Sequence, residues 1–92
     1  MNGFIPTSWQ FGPFARGLPR SERVERLRRL RAVVTTTCGL RGLAATRALR
    51  LAEHDADPDA LNLAIGTLRR LDAADRRQIL ASYADTQHEA RT

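Results

Sequence analysis

Apolar residues recur at intervals of three and four along most of this sequence, which is the period of amphipathic α-helices. The first such stretch begins near Ser21, a residue type that caps helix starts. Gly39 or Gly42 is a natural end for it, because glycine readily ends helices. The apolar stripe predicted to face the core comprises Val24, Leu27, Leu30, Val34 and Cys38.

A second helix is predicted over about Leu43 to His54, and it is rich in alanine. Small side chains allow a neighbouring helix to approach closely, so we expect tight packing on this side. The residues predicted to face inward are Ala44, Ala45, Ala48, Leu49, Leu51 and Ala52, and those predicted to face outward are Arg47, Arg50 and His54.

Asp57 followed by Pro58 is a strong start signal for a third helix, which the pattern extends to Leu71. Asp72 then caps a fourth helix directly, so the sequence predicts that the third and fourth helices form an antiparallel hairpin. The predicted inward residues are Leu61, Ala64, Ile65, Leu68 and Leu71 in the third helix, and Ile79, Leu80, Tyr83 and Ala84 in the fourth.

Residues 1–19, the N-terminal arm, hold three of the four prolines and are not expected to be helical. This arm carries four of the five aromatic residues: Phe4, Trp9, Phe11 and Phe14. Large aromatic surfaces favour burial. Two interpretations follow: the arm closes one end of the protein's own core, or it docks on another molecule.

The sequence predicts an all-α fold, a small bundle of about four helices with an irregular aromatic N-terminal arm. A chain of 92 residues supports one core, since it buries roughly 60 to 65% of its unfolded surface. We expect the arm at 1–19, the helical bundle domain at 20–85 and a polar C-terminal tail at 86–92, which frays.

The charge is unevenly distributed along the chain. All fifteen basic residues are arginine, a bias typical of GC-rich coding, and the sequence is bacterial in style. Residues 1–50 hold ten arginines against two acidic residues, whereas residues 51–92 hold five against eight. Such asymmetry indicates contact with nucleic acid, an acidic protein or a membrane surface.

Location and chemistry are constrained mainly by what the sequence lacks. The single cysteine cannot form an internal disulfide, and neither a signal-peptide pattern nor a membrane span is evident, so we expect a cytoplasmic protein without membrane association. His54 and His88 lie far apart, and Cys38 continues an apolar stripe, which argues against metal and thiol chemistry. We therefore expect no catalytic residues, no metal, no cofactor and no enzymatic activity.

The favoured functional hypothesis is a small regulatory binding protein, such as an adaptor, inhibitor or accessory subunit, that docks on a larger protein. Aromatic residues and arginine are enriched in protein interfaces. The predicted contact residues are Phe4, Trp9, Phe11 and Phe14 of the arm and Arg20, Arg23, Arg26, Arg28, Arg29 and Arg31 of the first helix.

The alternative is a DNA- or RNA-binding regulator that uses the same six arginines, because arginine pairs with phosphates and with guanine edges. A helix-turn-helix at residues 43–71 fits poorly, since its turn would be strongly acidic. Homo-oligomerisation through the alanine face of the second helix, or through Leu63, is compatible with both hypotheses.

Overall fold

The computed structural model describes residues 12–55 and 57–91, and the side chains only as far as residue 86. These residues are helical apart from 12–19 and two short connections, and no strand occurs among them, which confirms the all-α prediction. The elements are α1 (Arg20–Cys38), a 3₁₀ helix (Gly39–Gly42), α2 (Leu43–Asp55), α3 (Pro58–Arg69) and α4 (Ala73–Arg91).

The prediction of about four separate helices is wrong, because the described helical residues form three uninterrupted runs: 20–55, 58–69 and 73–91. The first run contains both α1 and α2. Gly39 adopts a positive φ of 57°, and its N–H donates to the carbonyl of Thr35, so α1 ends there as glycine predicts. The following residues form a 3₁₀ helix instead of an open loop, and it leads directly into α2.

Helix α1 packs against both α2 and α4, while α3 packs on α2. Within the described chain α3 and α4 share few close contacts, so the predicted antiparallel hairpin is wrong. The guanidinium of Arg41, in the 3₁₀ helix, pairs with Asp75 at 3.0 Å. Because Asp75 lies in the first turn of α4, this ion pair ties α4 to the junction of α1 and α2.

The core forms where α1 and α2 meet, and α3 and α4 complete it. Its buried apolar residues are Leu27, Leu30, Val34 and Cys38 from α1, Ala45, Ala48, Leu49 and Ala52 from α2, Ala60, Ala64 and Leu68 from α3, and Ile79 and Tyr83 from α4. Most of these buried residues were predicted to face inward. Among the residues that were predicted to face inward but are not buried, Ala44, Leu51 and Ala84 are exposed and Val24 is half-buried. Leu51 follows the buried Leu49 by two residues, which places the two side chains on nearly opposite sides of α2.

Two predicted helix starts have different outcomes. The Asp57 side chain accepts a hydrogen bond from the N–H of Ala60 at 2.7 Å, and Pro58 occupies the first turn, so this cap is confirmed. Helix α1 instead begins at Arg20 after Pro19 and has no side-chain cap, so the Ser21 cap is wrong. Over residues 12–55 and 57–91 no helix is long and apolar enough to cross a membrane.

Candidate functional site

Three arginines of α1 bind groups on α2. Arg31 pairs with Glu53 through Nε, and its Nη2 donates to Glu53 Oε1 at 3.3 Å. The Nε of Arg28 lies 3.6 Å from the same oxygen. Arg20 donates from Nη2 to the backbone carbonyl of His54 at 3.1 Å. These contacts join the first two thirds of α1 to the carboxyl end of α2.

The next two arginines hold the end of the N-terminal arm. Arg23 donates from Nη1 to the carbonyl oxygen of Pro13 at 2.7 Å, and Arg26 donates from Nη1 to that of Gly12 at 3.3 Å. Arg26 also forms an ion pair with Glu22, one turn earlier in α1. The Arg29 guanidinium, the last of the six, pairs with Glu25 at 3.3 Å.

All six arginines predicted to contact a partner are therefore engaged within the protein. Four of them face carboxylates, and the other two donate to backbone carbonyls. Because Arg28 and Arg31 share Glu53, three carboxylates face the six arginines, so about half of this positive charge is offset locally. Their role in binding a partner stays a prediction, but any partner would have to compete with these existing contacts.

Of the aromatic residues predicted as contacts, only Phe14 lies in the described part of the chain. It is half-buried and packs against the core, next to the buried Gly12 and Pro13. Phe4, Trp9 and Phe11 lie outside the described residues. The structure therefore brings the carboxyl end of the arm together with Arg23 and Arg26 of α1.

A second surface combines exposed leucines with two arginines that have no partner among the described residues. Leu40, Leu43 and Leu51 are 87%, 41% and 43% exposed. At 3.6 residues per turn, Leu43, Arg47, Arg50 and Leu51 fall within an arc of about 100° on α2. Neither guanidinium has a hydrogen bond or ion pair in the described chain. We call these residues, together with Leu40, the outer face of α2.

Sequence reasoning found this surface only in part. Arg47 and Arg50 were predicted to face outward, which is confirmed. Leu51 was assigned to the core, and the exposure of Leu40 and Leu43 was missed. The spacing of Leu43, Arg47 and Arg50 at i, i+4 and i+7 was a usable signal, because these positions share one helix face.

Cys38 is buried at the end of α1, close to the ion pair of Arg41 and Asp75. Burial raises the pKa of its thiol, and the negative charge of Asp75 raises that pKa further, while the positive charge of Arg41 opposes the shift. The thiolate is the reactive form of cysteine. Near neutral pH, Cys38 is therefore both shielded and protonated.

We expect the thiol of native Cys38 to resist alkylation by iodoacetamide at pH 7.5 and to react fully once urea unfolds the chain. A matched control is the Thr35→Cys variant in a Cys38→Ala background, since Thr35 is exposed on the same helix. Mass spectrometry over time gives both rates. Equal native rates at positions 35 and 38 would contradict the assignment of Cys38 as an unreactive core residue.

Within residues 12–55 and 57–91 no group of three or more histidine, cysteine, aspartate or glutamate side chains is arranged to hold a metal ion. Comparisons with protein-family models, curated proteins and solved structures find no match to this chain.

Proposed function

We propose that this chain is a small non-enzymatic binding protein that docks on the acidic surface of a larger protein through the outer face of α2. The observation that carries the proposal is the combination, on one face of α2, of the exposed Leu43 and Leu51 with two arginines that no carboxylate of the described chain neutralises. Leu40 is exposed in the 3₁₀ helix that leads into α2. Contiguous exposed apolar surface on a small domain commonly marks an interaction site.

The two arginines specify the chemistry of the partner. Covering Leu43 and Leu51 would also remove Arg47 and Arg50 from water, and a buried charge without a counter-charge is costly. Carboxylates are well suited to arginine, because the planar guanidinium can donate two parallel hydrogen bonds to one carboxylate. Complementary charge would also steer the encounter and select the partner. These points favour an aspartate- or glutamate-rich protein surface.

A protein is favoured over nucleic acid as the partner for two reasons. The arginines of α1, which the nucleic-acid hypothesis requires, already hold partners within the chain. The exposed leucines offer nothing to a phosphate backbone, whereas interfaces with DNA are more polar and more strongly cationic than those between proteins. We therefore place the docking surface on α2, away from α1.

The test compares two pairs of matched variants. Leu43→Ser and Arg47→Glu change the outer face of α2, whereas Leu63→Ser and Arg77→Glu make the same changes on α3 and α4, at positions that are also exposed. Proteins captured from the native host by the tagged wild-type chain are identified by mass spectrometry, then purified and titrated directly. We expect the first pair to lower affinity by about 5- to 30-fold, equivalent to about 1 to 2 kcal/mol, and the second pair to leave it unchanged.

Two results would overturn the proposal. In the first, direct binding of the purified partner is equally sensitive to Leu63→Ser and Leu43→Ser, so the outer face of α2 has no special role. In the second, the retained material is nucleic acid whose affinity falls steeply with salt and is unaffected by Leu43→Ser, which would establish the nucleic-acid alternative. Circular dichroism of each variant separates loss of binding from loss of folding.

A further inference from the structure

One side of α3 carries a narrow strip of four residues that we call the α3 strip: Asp59, Leu63, Gly66 and Arg70. At 3.6 residues per turn they fall within an arc of about 60°. Asp59 and Arg70 are exposed, Leu63 is 49% exposed, and Gly66 is half-buried. Arg70 directly follows the last residue of α3 and keeps right-handed helical backbone angles, so it continues the strip.

The two charges of the α3 strip are not neutralised among the described residues. Neither Asp59 nor Arg70 takes part in an ion pair in this part of the chain. They lie about 16 Å apart along the helix axis, which is too far for them to pair with each other. A partner whose charges run in the opposite order would complement both.

The middle of the α3 strip combines a projecting side chain with a gap. A Cβ added at Gly66 would meet nothing within 4 Å, so the glycine leaves an open notch in the helix surface. Leu63 lies three residues earlier and is therefore its neighbour on the same face. Because Gly66 has no side chain, a second helix can approach near the lower end of the usual range of about 8 to 10 Å.

The α3 strip is complementary to itself when a second copy of α3 lies antiparallel. Asp59 and Arg70 lie about 8 Å along the axis on either side of the midpoint between residues 64 and 65, and Leu63 and Gly66 lie about 2 Å on either side of it. A two-fold axis at this midpoint therefore brings Asp59 level with Arg70 of the second copy. The same axis brings Leu63 level with Gly66, as an isologous interface requires.

We propose that two copies of this chain associate through their α3 strips, with α3 antiparallel to α3. Each Leu63 fills the notch at Gly66 of the other copy, and each Asp59 accepts hydrogen bonds from the guanidinium of Arg70. One pair of short helices makes a small interface, and interfaces below about 1,200 Å² are typical of weak, transient complexes. We therefore expect a Kd on the order of 10 to 100 µM.

This self-association is separate from the docking proposed for α2. The α3 strip shares no residue with the outer face of α2. A dimer this weak is dissociated at the low micromolar concentrations of a partner titration, so it does not alter the result of that test. Absence of the dimer would leave the proposal for α2 intact.

Sedimentation equilibrium of the 92-residue chain over about 5 to 500 µM measures the dimer directly. Asp59→Arg and Arg70→Asp each replace two attractions across the interface by two repulsions, so each variant alone should dimerise at least about 10-fold more weakly. In an equimolar mixture of the two variants, every facing pair in a mixed dimer has opposite charges. We expect the mixture to regain an affinity close to that of wild type.

Asp85→Arg and Arg77→Asp are the matched controls, because they make the same changes of charge at exposed positions of α4. Alone and mixed, they should keep the wild-type Kd. Gly66→Ala tests the notch without changing charge. It should weaken the dimer about 5-fold by filling the notch, although alanine favours the helix of the monomer. Circular dichroism shows whether each variant keeps its helical content.

Three results would overturn the inference. The first is a chain that stays monomeric over the whole concentration range. In the second, the mixture of Asp59→Arg and Arg70→Asp binds no better than either variant alone, or the mixed controls on α4 change affinity as much. In the third, the dimer is insensitive to Gly66→Ala but is lost in Leu43→Ser, which would place the second copy on the outer face of α2.

Discussion

Replacing Glu53 with alanine is expected to lower the free energy of unfolding by about 2 kcal/mol, since hydrogen bonds to charged groups contribute roughly 1.5 to 3 kcal/mol each. The Glu53 side chain is only 10% exposed and accepts from Arg31 while it also faces Arg28. The hydrogen bond to Glu53 raises the pKa of Arg31 against the opposing effect of burial. Without Glu53, the guanidinium of Arg31, which is 24% exposed, loses the carboxylate that it faces.

Glu25→Ala is the matched control for this prediction. Glu25 also pairs with an arginine of α1, at 3.3 Å, but it is 69% exposed and its partner lies four residues along the same helix. Such pairs contribute about 0.3 to 0.5 kcal/mol. Urea unfolding followed by circular dichroism gives both values. If the two variants lose equal stability, the contact between α1 and α2 does not depend on Glu53.

The Glu53 experiment also bears on function. If Arg28 and Arg31 bind nucleic acid, removing Glu53 frees them and should strengthen binding to DNA. If they hold α1 to α2, as their geometry indicates, the variant loses stability and gains no affinity. Gel-shift measurements with duplex DNA at low salt separate these outcomes, because such binding depends strongly on neutralised phosphates.

The sequence pattern was a good guide to which faces of the helices are buried. Leu27, Leu30 and Val34 of α1 follow the helical period, and all three are fully buried as predicted. The prediction succeeds because the apolar stripe of an amphipathic helix is removed from water when it faces the core. The same reasoning failed for Leu51, since alanines already fill the side of α2 that faces its neighbours.

The pairs of helices that pack against each other were not predictable from neighbouring positions in the sequence. The hairpin of α3 and α4 was inferred from their short connection, but Arg41 and Asp75, 34 residues apart, hold the start of α4 near the end of α1. An ion pair across that separation leaves no local pattern. Which helices pack together depends on such distant contacts as well as on connection length.

The electrostatics of the candidate site were incompletely predicted for a related reason. Counting charges along the chain gives a strongly basic first half, and that count led to the arginines of α1. Glu53 belongs to the second half, yet it faces Arg28 and Arg31 across the helix interface. Folding brings distant charges together, so charge counted by segment overstates the positive potential of α1. Arg47 and Arg50, which have no partner among the described residues, are not distinguished from other arginines by such a count.

Gly42→Ala is expected to destabilise the protein by about 1 to 3 kcal/mol, the usual cost of overpacking a core. Gly42 is buried where the 3₁₀ helix meets α1. A Cβ added there would lie 2.8 Å from Cγ1 of Val34 and 2.9 Å from Cβ of Cys38. Neither atom is the end of a long flexible side chain, so the 3₁₀ helix must move away from α1.

Gly66→Ala is the matched comparison, because Gly66 lies inside α3 and an added Cβ would meet nothing within 4 Å. There alanine should stabilise the protein by about 0.5 to 1 kcal/mol, since glycine is unfavourable in a helix interior. For a domain of this size each kcal/mol shifts Tm by roughly 4 to 8 °C, so thermal melting should resolve the opposite signs. If Gly42→Ala matched or exceeded the wild-type Tm, the close approach of Gly42 to Val34 and Cys38 would be wrong. The angle between α1 and α2, which sets the positions of Leu40 and Leu43 in the proposed docking surface, would then be wrong as well.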